Sequence, residues 1–212
     1  MTHITPRHIL FSLFFLIVFS LPALAAPPLI AQFVFQFYQD DAGLNAATQA
    51  VAEDTNYNPA VNTSFRLRIQ TRSYGATSSF VRRLEFSEDS GVWTQITTNS
   101  NNVRLQASSN FSDGESTTSR ISFPGTWSAG NGKSTSSDTA SATLAALDGY
   151  IEDEYCLMFQ TAAAGHTYQF RLTKAGALYT SYTVTPSSTP TGVVLPDLKA
   201  RFGGGRIGAG RF

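Results

Sequence analysis

Residues 65–72 read FRLRIQTR, with Phe65, Leu67 and Ile69 at every second position and Arg66, Arg68 and Gln70 between them. A period of two puts the apolar set on one face of a β-strand and the polar set on the other. Burying each apolar side chain is worth about 1.5–3 kcal/mol, so the pairing register is strongly held. A slip of one residue would turn Arg66 and Arg68 into the core. The simplest reading of the arginine face is the wet side of a sheet.

The same alternation recurs outward from this stretch. Strands are expected over 32–39 (QFVFQFYQ), 64–72, 79–87 (SFVRRLEFS), 92–97 (VWTQIT), 103–107, 120–123, 154–161 (EYCLMFQT), 167–173 (TYQFRLT) and 179–185 (YTSYTVT). No long stretch carries helical periodicity. Short β-branched and aromatic runs between Ser/Asn/Gly/Asp clusters indicate a sandwich or barrel. The 16 Phe, 8 Tyr and 2 Trp residues supply the area to fill the space between two facing sheets. By parity Phe33, Phe35 and Phe37 point inward, as do Phe80, Leu84 and Phe86, then Tyr155, Leu157 and Phe159, then Tyr168, Phe170 and Leu172. Arg82 shares the parity of Leu84, which calls for a bulge or an edge position from which it reaches water.

SEDSG at 87–91 reads as the turn of a hairpin into VWTQI, and Lys174 to Ala177 as the turn between the last two strands. Residues 128–143, SAGNGKSTSSDTASAT, lack apolar weight and read as a long loop. The piece TLAAL after it suits either a strand or a helical turn. From residue 186, PSSTPTG reads as a linker, and the glycine-broken remainder to 212 has too little apolar content to fold alone.

At the other end, Arg7 precedes an apolar run from Ile9 to Leu21, followed by Ala23, Ala25 and Ala26. This is the layout of a secretory signal peptide cleaved after Ala25. The run is short beside the roughly 20 residues that a bilayer core needs, and no other run resembles a membrane span. The expected organisation is therefore a signal peptide at 1–25, a β-domain at 26–185 and a linker with a flexible tail at 186–212. The localisation expected is secreted or cell surface. Residues 26–185 hold ten basic and fourteen acidic residues, a balance of −4 that does not draw nucleic acid. Sheet-borne nucleic-acid readers also need aromatics on the same face as the cations, and here the two have opposite parity.

Chemistry-bearing residues are few. Cys156 is the only cysteine, lies in the apolar run YCLMF, and reads as a small buried hydrophobe. His166, the only histidine beyond the leader, reads as a surface or turn residue without partners for a triad. With Cys156 it falls short of the usual zinc ligand set. Carboxylates cluster in or beside loops, without EF-hand spacing and without a sign of the paired acids in a cleft that glycoside hydrolysis needs. Glu152, Asp153 and Glu154 form the densest group; like charges so close invite a counter-ion, and a structural calcium is the candidate. The glycines at 203–205 lack the lysine and hydroxyl residue of a phosphate loop. Arg201, Arg206 and Arg211 in the tail suit contact with an acidic polymer or another subunit.

Taken in order, FRLRIQTRSYGATSSFVRRLEFSEDSGVWTQI, LQASSNFSDGESTTSR and YCLMFQTAAAGHTYQFRLTKAGALYTSYTVTP resemble a module without assigned activity found in predicted surface or secreted proteins of small-genome environmental bacteria. The likeness covers roughly 31–186, and within it Asn110, Phe111, Ser112, Asp113 and Gly114 match an S-x-N-F-x-D-G segment. It implies an all-β, immunoglobulin-like or fibronectin-like antiparallel β-sandwich of about 7–9 strands, with a structural or adhesive role at the envelope by analogy. The expected function is non-catalytic, with envelope proteins or surface polymers as partners. The alternative is a carbohydrate-binding module with a structural calcium, in which Trp127, Tyr74 and Tyr150 would contact the sugar. Trp93, beside Ile96, is expected in the core.

Overall fold

The computed structural model describes residues 29–192 apart from 76, 78, 122, 146 and 147. The expected signal peptide and the tail beyond residue 192 lie outside the described residues. Ten strands form among the described residues: β1 (Ile30–Gln39), β2 (Ser64–Ser73), β3 (Arg82–Glu88), β4 (Thr94–Gln95), β5 (Val103–Leu105), β6 (Thr126–Lys133), β7 (Gly149–Phe159), β8 (Tyr168–Lys174), β9 (Ser181–Tyr182) and β10 (Ser187–Ser188). The larger sheet runs β5-β7-β2-β1-β9, with β6 also on β7; the smaller runs β10-β8-β3-β4. The fold is all-β, two packed sheets with mostly antiparallel pairing, as expected for a sandwich.

The parity reading holds for the interlayer. Phe35, Phe37, Phe65, Leu67, Ile69, Tyr155, Leu157 and Phe159 of the larger sheet pack on Leu84, Tyr168, Phe170 and Leu172 of the smaller, all buried. Their rings interlock: Phe65 stacks on Phe159 at 5.2 Å, and Phe159 lies 4.9 Å from Tyr168. Phe33 departs from the expectation. A register shift between Gln32 and Val34 leaves it as an extra residue in β1, and its ring turns outward to Phe123 and Arg72. A bulge of this kind reverses side-chain parity for one position.

Both expected turns form. Asp89 and Ser90 carry φ of 46° and 62° between β3 and β4, and Ala175 and Gly176 carry 49° and 97° after β8. The stretch 120–123 is not a strand in its described residues, for a reason given below. Tyr179 to Thr185 contributes only Ser181–Tyr182, parallel to β1. The segment read as a linker supplies an edge strand instead. Ser187 and Ser188 pair with β8, and Thr191 bridges to Ala60, so the domain continues beyond 185.

The largest difference lies in 128–143, expected as a loop. Thr126–Lys133 forms β6, parallel to the first half of β7, while β5 pairs with the second half of the same edge. Its sequence, TWSAGNGK, hides a strand because the glycines serve close approach. A Cβ at Gly130 would sit 1.9 Å from the Glu152 carbonyl oxygen, and one at Gly132 2.7 Å from Leu44. Replacing Gly130 by alanine should therefore push β6 from β7 and destabilise the fold by at least the roughly 1–3 kcal/mol of an overpacked site, read as a lower urea midpoint.

Candidate functional site

Most of the polar face of β2 does not meet water. Arg66 and Arg68 are fully buried, as are Glu152 and Glu154 on β7. Register explains the pairing: Arg66 faces Cys156, Arg68 faces Glu154 and Gln70 faces Glu152. Arg68 donates through Nε to Glu154 at 2.6 Å and through Nη1 to Glu152 at 3.0 Å and the Thr118 carbonyl at 2.7 Å. Its Nη2 reaches the Leu44 carbonyl at 3.2 Å. Arg66 donates to Asp40 at 2.8 Å, to Glu154 at 3.2 Å and to the Gly43 carbonyl at 3.3 Å.

Two loops cover this charged face, one around residues 40–49 and one around 108–121. Asp40 binds the second loop as well as Arg66: Ser108 Oγ donates to its carboxylate at 2.7 Å and Asn110 Nδ2 to its carbonyl at 2.8 Å. Phe111 lays its ring 4.8 Å from the Arg66 guanidinium and packs with Leu44 and Cys156. The N-F-S-D-G segment thus closes the charged layer. Asp113 fastens its far end, accepting from Lys133 Nζ at 2.8 Å, Ser134 N at 2.7 Å and Thr135 N at 2.9 Å. Residues 120 and 121 cannot serve a strand ladder, because their backbone N–H groups both donate to the Glu152 carboxylate at 3.1 Å.

The wet-face reading is therefore corrected for Arg66 and Arg68, and Arg82 is corrected too. Arg82 sits in the interlayer, with Nε and Nη2 on the two Asp153 oxygens at 2.7 and 2.9 Å, a buried bridge between the sheets. Neither bulge nor edge is needed, since a bidentate carboxylate satisfies the guanidinium where water would have. Glu152, Asp153 and Glu154 do not converge on one ion: Asp153 points into the interlayer, while its neighbours point to the covered face. The countercharge assigned to calcium is supplied here by arginine. Burial pushes the Glu152 carboxyl up, against the Arg120 N–H and Arg68. Burial and then Asp40 push the Cys156 thiol up, in keeping with a small buried hydrophobe.

Other cations lie nearer the surface. Arg171 pairs across strands with Glu85 at 2.8 Å and covers Trp93, 4.2 Å from the ring, so Trp93 is half-buried outside the main core. Arg83 pairs with Asp138 at 2.6 Å. His166 is 46 % exposed beside Asp89 and Glu88.

The three residues singled out for sugar contact are linked by a chain of contacts through Arg72 and Phe123. Arg72, the last arginine of the β2 polar face, lies 4.3 Å from the Tyr74 ring, 5.0 Å from Phe33 and 4.2 Å from Phe123. Phe123 meets Tyr150 at 5.3 Å, and Tyr150 meets Trp127 at 5.4 Å. Asp148 accepts from Arg72 at 2.7 Å. Tyr150 is buried, Trp127 half-buried and Tyr74 48 % exposed. Phe33 and Phe123 were missed by parity and by the expected strand, though the paired spacing Arg66-x-Arg68 and Glu152-x-Glu154 carries a readable signal for the charged layer. No protein family, curated protein or solved structure matches the chain.

Removing one partner of a buried ion pair leaves an uncompensated charge, so Arg68→Met should cost about 3–5 kcal/mol, measured by equilibrium unfolding. Asp113 supplies an acid-labile contribution. Burial alone would raise its carboxyl, but Lys133 and the two N–H groups outweigh it and hold it down to about 2, against 3.8 ordinarily. The folded value lies below the unfolded one, so the contribution is complete above about pH 4 and lost as pH falls toward about 2. Asp113→Asn should flatten the stability–pH curve in that window.

Proposed function

We propose that this chain is a non-catalytic structural or adhesive module of the cell exterior, secreted or held at the surface by envelope proteins or surface polymers. We assign it to the immunoglobulin- or fibronectin-like kind of sandwich on the sequence resemblance. The observation that carries the reading is the aromatic surface that runs from Arg72: an exposed Tyr74 just after β2 and a half-buried Trp127 on β6, linked through Phe123 and Tyr150. Large, stiff side chains on a fixed support lose little conformational freedom on contact, which suits docking to a partner. The carboxylates of the densest acidic group are engaged by arginines and backbone N–H groups, which favours a scaffold role over acid–base chemistry. The leader-like sequence at 1–25 supports export.

A photo-cross-linking residue at position 74, introduced in the producing cells, tests this. Adducts in an envelope or medium fraction are expected; a protein confined to the cytoplasm, or one without adducts, refutes it. The linked aromatic residues Tyr74, Tyr150 and Trp127 favour one second reading, in which the surface takes a carbohydrate by ring stacking, with Arg72 and Asp148 as polar neighbours. A glycan array with the parent and W127A decides it. Binding that falls about tenfold or more, or ~1.4 kcal/mol, supports the sugar reading; no sugar bound above background removes it.

A further inference from the structure

At the end of the sandwich formed by the β3–β4 turn, Glu88, Asp89 and His166 each present one donor atom, and these three atoms all lie within 4.8 Å of one another. His166 Nδ1 is 2.7 Å from Asp89 Oδ2 and 3.4 Å from Glu88 Oε1. The other oxygen of each carboxylate is held from behind. Asn102 Nδ2 donates to Glu88 Oε2 at 2.6 Å, and the Thr167 N–H donates to Asp89 Oδ1 at 2.9 Å. The turn is clamped in both directions, since the Asp89 N–H donates to the Thr167 carbonyl at 2.8 Å.

A second, independent feature adjoins this group. Tyr168 pairs directly with Glu88 across β3 and β8 and is fully buried. Its hydroxyl has no hydrogen-bond partner among the described residues. An unpartnered buried hydroxyl beside a His/Asp/Glu group is a second polar feature at this end of the sandwich.

We propose that Glu88, Asp89 and His166 form a binding site for a borderline divalent transition-metal ion of the zinc type. One imidazole nitrogen and two carboxylate oxygens suit such an ion better than calcium or magnesium, which take oxygen alone. Ligands about 2.0–2.1 Å from a tetrahedral centre lie about 3.3 Å apart. The Nδ1–Oε1 separation already matches, and the Nδ1–Oδ2 separation has only to open slightly. Water completes the fourth position. The ion takes the place of the proton between His166 Nδ1 and Asp89 Oδ2, which leaves to solvent. The outer hydrogen bonds from Asn102 and Thr167 fix both carboxylates, as supporting contacts do at metal centres. Bound there, the ion ties the β3–β4 turn to the start of β8.

The test uses the full chain without a histidine tag, titrated with Zn²⁺ against a chromophoric chelator, and with Co²⁺ read by visible absorption. One ion per chain, tetrahedral Co²⁺ bands, and a Tm rise of about 5–10 °C at a hundred times Kd are expected. His166→Ala and Asp89→Asn should each weaken binding by tenfold or more while leaving the metal-free circular dichroism unchanged, because both side chains are exposed. Affinity should fall as pH drops through the range where His166 keeps its proton. Zinc at well below one ion per chain, or binding unchanged in both variants, overturns the site.

Discussion

Two arginines on one strand cannot be taken from water without full compensation, and in this protein they receive it. Arg66 and Arg68 meet Glu152, Glu154 and Asp40, and their remaining donors go to loop carbonyls. Burying two ions costs several kcal/mol each, offset only when the geometry and the remaining hydrogen bonds are nearly complete. The covering loops are therefore part of the charged layer, because each supplies acceptors that the guanidinium groups require. A β2–β7 register shifted by one would set Arg66 opposite Tyr155 or Leu157 and Glu154 opposite Leu67 or Ile69. The layer thus contributes specificity of pairing as much as stability.

The polar face of β2 also connects this interior to the surface. Arg66 and Arg68 lie beneath loops, while Arg72, four residues on from Arg68, emerges among Phe33, Tyr74 and Phe123. The bulge in β1 makes this possible by turning Phe33 out of the interlayer. A cation held against several ring faces, with Asp148 on its flank, fixes the aromatic side chains without filling all the space around them. Arg82 and Asp153 complete the arrangement by joining the two sheets from within.

Much of this was legible in residue order. The period-two alternation located the long strands and the inward set, and the turn residues located the hairpin at 87–91. Complementary i, i+2 charges on β2 and β7 were also present to be read. What parity cannot supply is the covering: alternation says which side chains share a face, and is silent on whether water or a loop lies above them. β6 escaped detection because glycine leaves no hydrophobic signature, although close approach to Glu152 and Leu44 demands it. Edge strands of two residues, such as β9 and β10, are held by their neighbours and carry no local pattern of their own.

The amino-acid sequence by itself therefore determined an all-β chain, its aromatic interlayer and the residue types available for contact, because hydrophobic periodicity is a local property of a strand. Only the tertiary structure decided that Arg66, Arg68 and Arg82 are buried, that the acidic triplet divides between two faces, and that Tyr74, Tyr150 and Trp127 are linked through Arg72 and Phe123. Those outcomes depend on cross-strand register and on loops returning from distant parts of the chain. Electrostatic compensation acts between such distant partners, and no window of sequence contains them together.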